Sequence, residues 1–411
     1  MAQPHCFKLG NGLSVVVQPM SDRSMATCGI MYHGGARNED PNRTGLAHFL
    51  EHIRFGPSQN VSSYDMALQR VGGNSNAYTD QDVTNYWCEL PANQLEVAFW
   101  LESDRLLAPR YEEQTIEVQR KVVMEEFKQH YMAPPYGDVH HLLLAQAYTQ
   151  HPYRWPVIGK TLEHIAECSK EELVTFGETF YHPSNAVLVV AGGVSPDRVF
   201  QLAEKWFGDI PDTPHPAQDI PQEPPQKHPV TEHVRRNVPQ NALYKAYHMP
   251  GRRDADYLGI ELINSFFTGG ISSYFRKYLI EEKMLFSEIH SYLTGTLDPG
   301  LFVIEGKLQD GVSFTKAAQA LQALIDATVA HGMPADGLTK VKKQEETKHL
   351  LSVNDMVTQA DMLAYAKLLG NINFFKEEFS RLLQFNNESI QAIASQVFRK
   401  ENSHTLYYEK Q

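Results

Sequence analysis

Two histidines and a glutamate stand within one turn of each other in Gly45-Leu46-Ala47-His48-Phe49-Leu50-Glu51-His52. If the stretch is helical, each residue turns the direction of view by about 100°. His52 then lies about 40° from His48, and Glu51 about 60° to the other side, so all three side chains share an arc of roughly 100°. Two imidazoles at i and i+4 are nitrogen ligands for a metal ion, and the carboxylate between them is placed to take a proton from a water on that metal. The order is H-x-x-E-H, the reverse of the more common H-E-x-x-H zinc motif.

Such a pair needs a third ligand. Residues 111–131 read as a helix that ends before Pro134-Pro135. Ile116, Val122, Val123, Phe127 and Tyr131 fall around one face at helical spacing. Glu126 lies roughly 70° from the centre of that face, beside Val122 and Val123, whereas Glu125 points to solvent. A carboxylate at the edge of an apolar face loses hydration and needs a partner such as a metal. Glu126 is therefore the expected third ligand. His130, one turn later, is the rival; it is read as a supporting or core residue, because a carboxylate ligand keeps the metal's water basic.

The chain that must position these groups has 411 residues, 42% apolar and 21% charged, the balance of a globular protein of two or more domains. No apolar run approaches the roughly 18 residues of a membrane span. The start, Met-Ala-Gln-Pro-His-Cys-Phe-Lys, has no basic segment leading into an apolar one, so a cytoplasmic location is expected, without a membrane partner. Cys6, Cys28, Cys88 and Cys168 are too scattered for a disulfide framework or a cysteine zinc site. A net charge of −12 disfavours a nucleic-acid partner. Gly-x-Ser-x-Gly is absent, and Gly269-Gly270-Ile-Ser-Ser lacks the Gly-Lys-Ser/Thr of a phosphate loop.

Seven prolines between 211 and 229 mark a stiff, extended linker. The expected organisation is a metal-binding domain (1–210), the linker (211–230) and a second domain without the histidine motif (231–411). The two flanks share a grammar. One ends with an amphipathic helix from Glu171, a turn and the buried strand Asn185-Ala-Val-Leu-Val-Val. The other ends with a helix from Asn387 and the strand His404-Thr-Leu-Tyr-Tyr. Each also opens on a strand-like run, Leu13-Ser-Val-Val-Val-Gln and Asn241-Ala-Leu-Tyr-Lys-Ala-Tyr. Helices and strands mix without strict alternation, so the fold class is α+β, an internal duplication.

The residues resemble the pitrilysin-like (M16) metallopeptidases, in particular their half-length bacterial and mitochondrial-processing-type members. Beyond the histidine motif, the resemblance rests on Gly72-Gly73-Asn-Ser-Asn76-Ala77-Tyr78-Thr79, on Arg120-Lys-Val122-Val123-Met-Glu125-Glu126, on His151-Pro152-Tyr153-Arg-Trp-Pro156 and on Asn185-Ala-Val-Leu-Val-Val-Ala-Gly192. It implies zinc held by His48, His52 and Glu126, with Glu51 as the base. It also implies an edge strand around Asn76, Ala77 and Thr79 that pairs with an extended peptide substrate. Two half-length chains would enclose a chamber, as a homodimer or as a heterodimer with a related subunit.

Two departures from the family pattern stand out. The helper glutamate seven residues before the third ligand is Gln119 here, with Glu117 a less well placed substitute, and the interval of 73 residues between His52 and Glu126 is slightly short. The Arg and Tyr that active members use to hold the substrate carbonyl are replaced by Ile280 and Ser287. Losing such an oxyanion donor typically costs about 10²–10³-fold in rate. Tyr292, Lys283 or His290 could substitute, or a partner subunit could supply the pair. The resemblance thus implies a zinc endopeptidase, the metal-bearing subunit of a dimer; the alternative is a non-catalytic scaffold or binding subunit.

Overall fold

The computed structural model describes residues 3–213 and 218–411. It forms two compact units, one of residues 1–132, 155–221 and 351–375, the other of residues 133–154, 222–350 and 376–411. The units therefore draw on both sides of the proline-rich segment. Pro214 and Pro216 lie outside the described residues, and 211–213 and 218–229 carry neither helix nor strand.

The first unit is built on six strands: β1 (His5–Lys8), β2 (Ser14–Pro19), β3 (Met25–Tyr32), β4 (Asn74–Thr79), β5 (Thr84–Pro91) and β6 (Ala186–Gly192), in the order β1-β2-β6-β3-β5-β4. β6 explains its own sequence. Its residues are buried on both faces, Ala186, Leu188 and Val190 in one apolar layer and Val187, Val189 and Ala191 in another, so it reads as an unbroken apolar run. The first layer is covered by α1 (Leu46–Phe55), α2 (Tyr64–Gln69), α3 (Leu95–Leu107) and α4 (Glu113–Phe127) together with the helix Lys170–Phe180. The second layer is closed by the helix Met356–Leu368, which packs Ala360 and Ala364 on Val16, Met31 and Val189. Asp361 of that helix accepts hydrogen bonds from Tyr78 Oη at 2.6 Å and Asn85 Nδ2 at 2.9 Å.

The second unit holds β7 (Val230–Arg236), β8 (Ala242–Met249), β9 (Phe286–Leu293), β10 (Gly300–Leu308) and β11 (Ser403–Lys410), in the order β7-β11-β8-β10-β9. Placed against β2-β6-β3-β5-β4 the plan is identical. The last strand, β6 or β11, enters between two others, parallel to the first and antiparallel to the second. This is the expected duplication, and the α+β class holds. The helix Val139–Ala147, from the first half of the chain, covers one face of this sheet through Val139, Leu143 and Leu144 against Ala242, Val303 and Leu406. Among the described residues no helix is long and apolar enough to cross a membrane.

The apolar face expected on 111–131 is formed by Ile116, Val123 and Phe127, with Tyr131 packed at its margin. Val122 is not part of it and is 46% exposed. The turn Lys128–Met132 winds more widely than an α-helix, which leaves Tyr131 at the margin of that face and His130 exposed.

Candidate metal centre

Helix α1 carries His48, Glu51 and His52, and its start is built from outside the helix. Gly45 precedes it at φ +87, where a Cβ would sit 2.6 Å from Ile158 O, so only glycine fits. No residue at the cap offers a side chain to the free N–H groups. The Glu39 carboxylate takes that place, accepting from Gly45 N at 2.9 Å and Ala47 N at 2.8 Å. The Trp155 indole donates to the same carboxylate at 3.1 Å. Glu39 is 5% exposed, and burial pushes its carboxyl up to about 8 against the pull of these donors.

Helix α4 lies against α1 and brings Glu126 to the two histidines. Glu126 Oε1 is 3.8 Å from His48 Nε2, and its Oε2 is 3.5 Å from His52 Nε2. The three donor atoms fall within 4.8 Å of one another, and among the described residues this is the one group of three able to hold a metal ion. Ligand atoms around a tetrahedral zinc at 2.0–2.1 Å stand about 3.3 Å apart, so small side-chain adjustments bring this set to zinc. His52 Nδ1 faces Gln119 Oε1 at 3.4 Å, which leaves Nε2 for the metal. Burial, with His52 adding to it, pushes His48 down to about 3 and keeps its ring neutral, the form that ligates.

Glu51 lies on the same face. Its Oε2 accepts from Thr79 Oγ1 at 2.5 Å. Burial raises its carboxyl to about 7, opposed by the Thr79 hydrogen bond, reinforced by Glu126 and opposed again by Arg105. Behind it the core of the unit carries ions. Arg105, 3% exposed, lies over the rings of Tyr64 and Tyr86, and Glu102, fully buried, accepts from Tyr64 Oη at 2.5 Å. Arg54 stacks on Tyr181 and donates to Tyr111 Oη.

Other expected residues fall as follows. Asn76, Ala77 and Thr79 lie on β4, the edge strand next to α1, with Asn76 exposed. Glu125 is a solvated charge beside Lys128. Glu117 pairs with Arg120 at 2.9 Å. His130 departs from expectation: it is exposed, neither core nor support, because the wide turn at 128–132 carries it away. In the second unit Ile280 packs at the margin of the apolar core, and Ser287 Oγ donates to Lys307 O at 3.3 Å. Glu39, Trp155, Arg105 and Glu102 escape a sequence reading. Trp155 meets Glu39 across 116 residues and Glu102 meets Tyr64 across 38, contacts of which local spacing carries no trace.

Comparison with known proteins extends this picture. Residues 14–161 match the family described as insulinase (peptidase family M16), and residues 167–345 match the one described as the peptidase M16 inactive domain. The histidine motif lies in the first match. The chain is 24% identical to the zinc protease PqqE of Helicobacter pylori, over 97% of this chain and 91% of that protein. It is 27% identical to the uncharacterized zinc protease YmxG of Bacillus subtilis, over 95% of each. The fold is that of a crystallised protease from Helicobacter pylori, with a TM-score of 0.94 over all of both chains at 23% identity. A peptidase M16 inactive domain from Pseudomonas fluorescens superposes with a TM-score of 0.90 over 100% of this chain and 98% of that one, at 16% identity. With both halves matched and the architecture shared throughout, the chain belongs to peptidase family M16.

Proposed function

We propose that the protein is a zinc-dependent endopeptidase that cleaves peptides or unfolded segments, and that it is the metal-bearing subunit of a dimer. The observation that carries this reading is the convergence of His48 Nε2, His52 Nε2 and Glu126 within 4.8 Å, with the Glu51 carboxylate on the same face. His48, His52 and Glu126 would hold the zinc. Zinc, when bound, acidifies a water molecule and polarises a substrate carbonyl.

The chain's own groups supply the rest. Glu51 takes a proton from the attacking water and returns it to the leaving amine. The outer edge of β4, at Asn76, Ala77 and Thr79, offers main-chain donors and acceptors to an extended peptide, an attachment that demands little of the substrate's sequence. The packed Ile280 and hydrogen-bonded Ser287 supply no oxyanion donor of the Arg and Tyr kind, which favours a second subunit contributing them. The same observation supports the second reading, a binding subunit without turnover of its own.

Hydrolysis of a mixed set of quenched fluorescent peptides by the purified chain, with bound zinc quantified and Glu51→Gln as control, tests the proposal. One zinc per chain and cleavage lost in Glu51→Gln is the expected result. Full zinc without cleavage, alone or with a related subunit added, overturns it in favour of the binding subunit.

A further inference from the structure

We infer that the Thr79 side chain is a positioning group that assigns the proton-carrying role to one oxygen of Glu51, Oε1. The inference rests on the peptidase reading above and deepens it. It follows from counting protons along a short chain of hydroxyls. Tyr181 Oη donates to Thr84 Oγ1 at 2.8 Å, and Thr84 Oγ1 donates its only proton to Gly34 O at 2.9 Å. Thr79 stands directly across the β4–β5 pair from Thr84, with the two hydroxyls 3.4 Å apart. The Thr84 proton is committed to a carbonyl, so Thr79 is free to donate, and the Glu51 carboxylate 2.5 Å away receives that hydrogen bond at Oε2.

The far end of the chain is anchored. Thr84 is fully buried, and Tyr181 is 3% exposed, stacked on Tyr32 at 4.5 Å between ring centres and lying under the Arg54 guanidinium. A proton placed on Oε2 would point at the Thr79 hydroxyl. It would force that hydroxyl to turn its own hydrogen toward Thr84, at a distance too long for a good bond. A proton placed on Oε1 disturbs nothing. Oε1 therefore takes the proton from the water and hands the same proton to the leaving nitrogen, and the carboxyl group need not rotate between the two transfers. The strand then does two separate jobs: its main chain faces the substrate, and the Thr79 hydroxyl orients the base.

Thr79→Val, which keeps the shape of the side chain and removes the hydroxyl, and Thr79→Ser, which restores it, form the test. Zinc content, kcat, KM and crystal structures are measured on wild type and both variants. Thr79→Val is expected to keep its zinc and its KM, to lose about 10–100-fold in kcat, and to show the Glu51 carboxylate turned from its wild-type orientation. Thr79→Ser should recover most of the kcat and the orientation. An unchanged kcat with Glu51 unmoved in Thr79→Val overturns the inference, as does a raised KM at constant kcat, which would make the hydroxyl a substrate contact. A zinc-loaded wild type that cleaves nothing overturns the peptidase reading instead, and the orientation of Glu51 in Thr79→Val still decides the positioning.

Discussion

Glu39 stands nine positions ahead of His48, yet its carboxylate is the cap of the helix that carries His48, bonded to the N–H groups of Gly45 and Ala47. Two backbone donors would lose their acceptor in Glu39→Ala, and the Trp155 indole would keep only Ala36 O. Leaving a buried donor unpaired costs about 1–3 kcal/mol. Glu39→Ala should therefore melt several degrees below wild type and bind zinc more weakly, because the start of α1 frays. Calorimetry and zinc titration check both.

The same carboxyl makes stability depend on pH. Glu39 holds its proton in the folded chain up to about 8 and releases it in the unfolded chain near its ordinary value of 4.5. Between those limits the folded state binds more protons, so its contribution to stability is lost as pH rises. Glu39→Gln has no such proton. Its melting temperature should lie below wild type at pH 5, and the gap should narrow toward pH 8. A gap that is constant across this window, measured by thermal unfolding in matched buffers, would show that the burial does not act on this carboxyl.

Removing a ligand should remove the metal. His52→Ala and Glu126→Ala each leave two donors, and zinc per chain after dialysis should fall close to zero. Gln119 acts more gently, through a long contact to His52 Nδ1. Gln119→Leu should weaken zinc binding by about tenfold, at the low end for such supporting groups. Gln119→Glu should strengthen it, since a carboxylate makes the ring opposite a better donor. Competition with a chelator measures both.

Asp361 ties the helix Met356–Leu368 to the sheet that carries Thr79. Asp361→Ala takes the acceptor from Tyr78 Oη and Asn85 Nδ2, Asn85 being 3% exposed. A loss of about 1–3 kcal/mol is expected, appearing as faster amide exchange in 356–368 and in β4. Unchanged exchange in both would show that Ala360 and Ala364 hold the helix without it.

The shared face of His48, Glu51 and His52 was legible in the residues themselves, because it depends only on the helical repeat. Glu126 was legible for a related reason: it stands at the edge of a periodic apolar face. The duplication showed in the helix–turn–strand endings, since a strand buried on both faces, such as Ala186–Gly192, has to be continuously apolar. The same periodicity misplaced Val122 and His130. A helical wheel assumes a uniform repeat and an apolar neighbour for every apolar side chain, and the wide turn at 128–132 and the open flank of α4 break those assumptions.

What the sequence determined by itself is the set of groups able to do chemistry and the elements that carry them, because both are encoded over a few turns of chain. Only the tertiary structure decided how those groups are held. Glu39 caps α1, Trp155 holds Glu39, Thr79 bonds Glu51, and the helix Met356–Leu368 closes a sheet made from the opposite end of the chain. Apart from the Glu39 cap, which reaches six and eight residues ahead, each is a contact between residues far apart in sequence. Hydrogen bonding and packing act on distance in space, and a chain written in order carries no local record of which remote residue will arrive there.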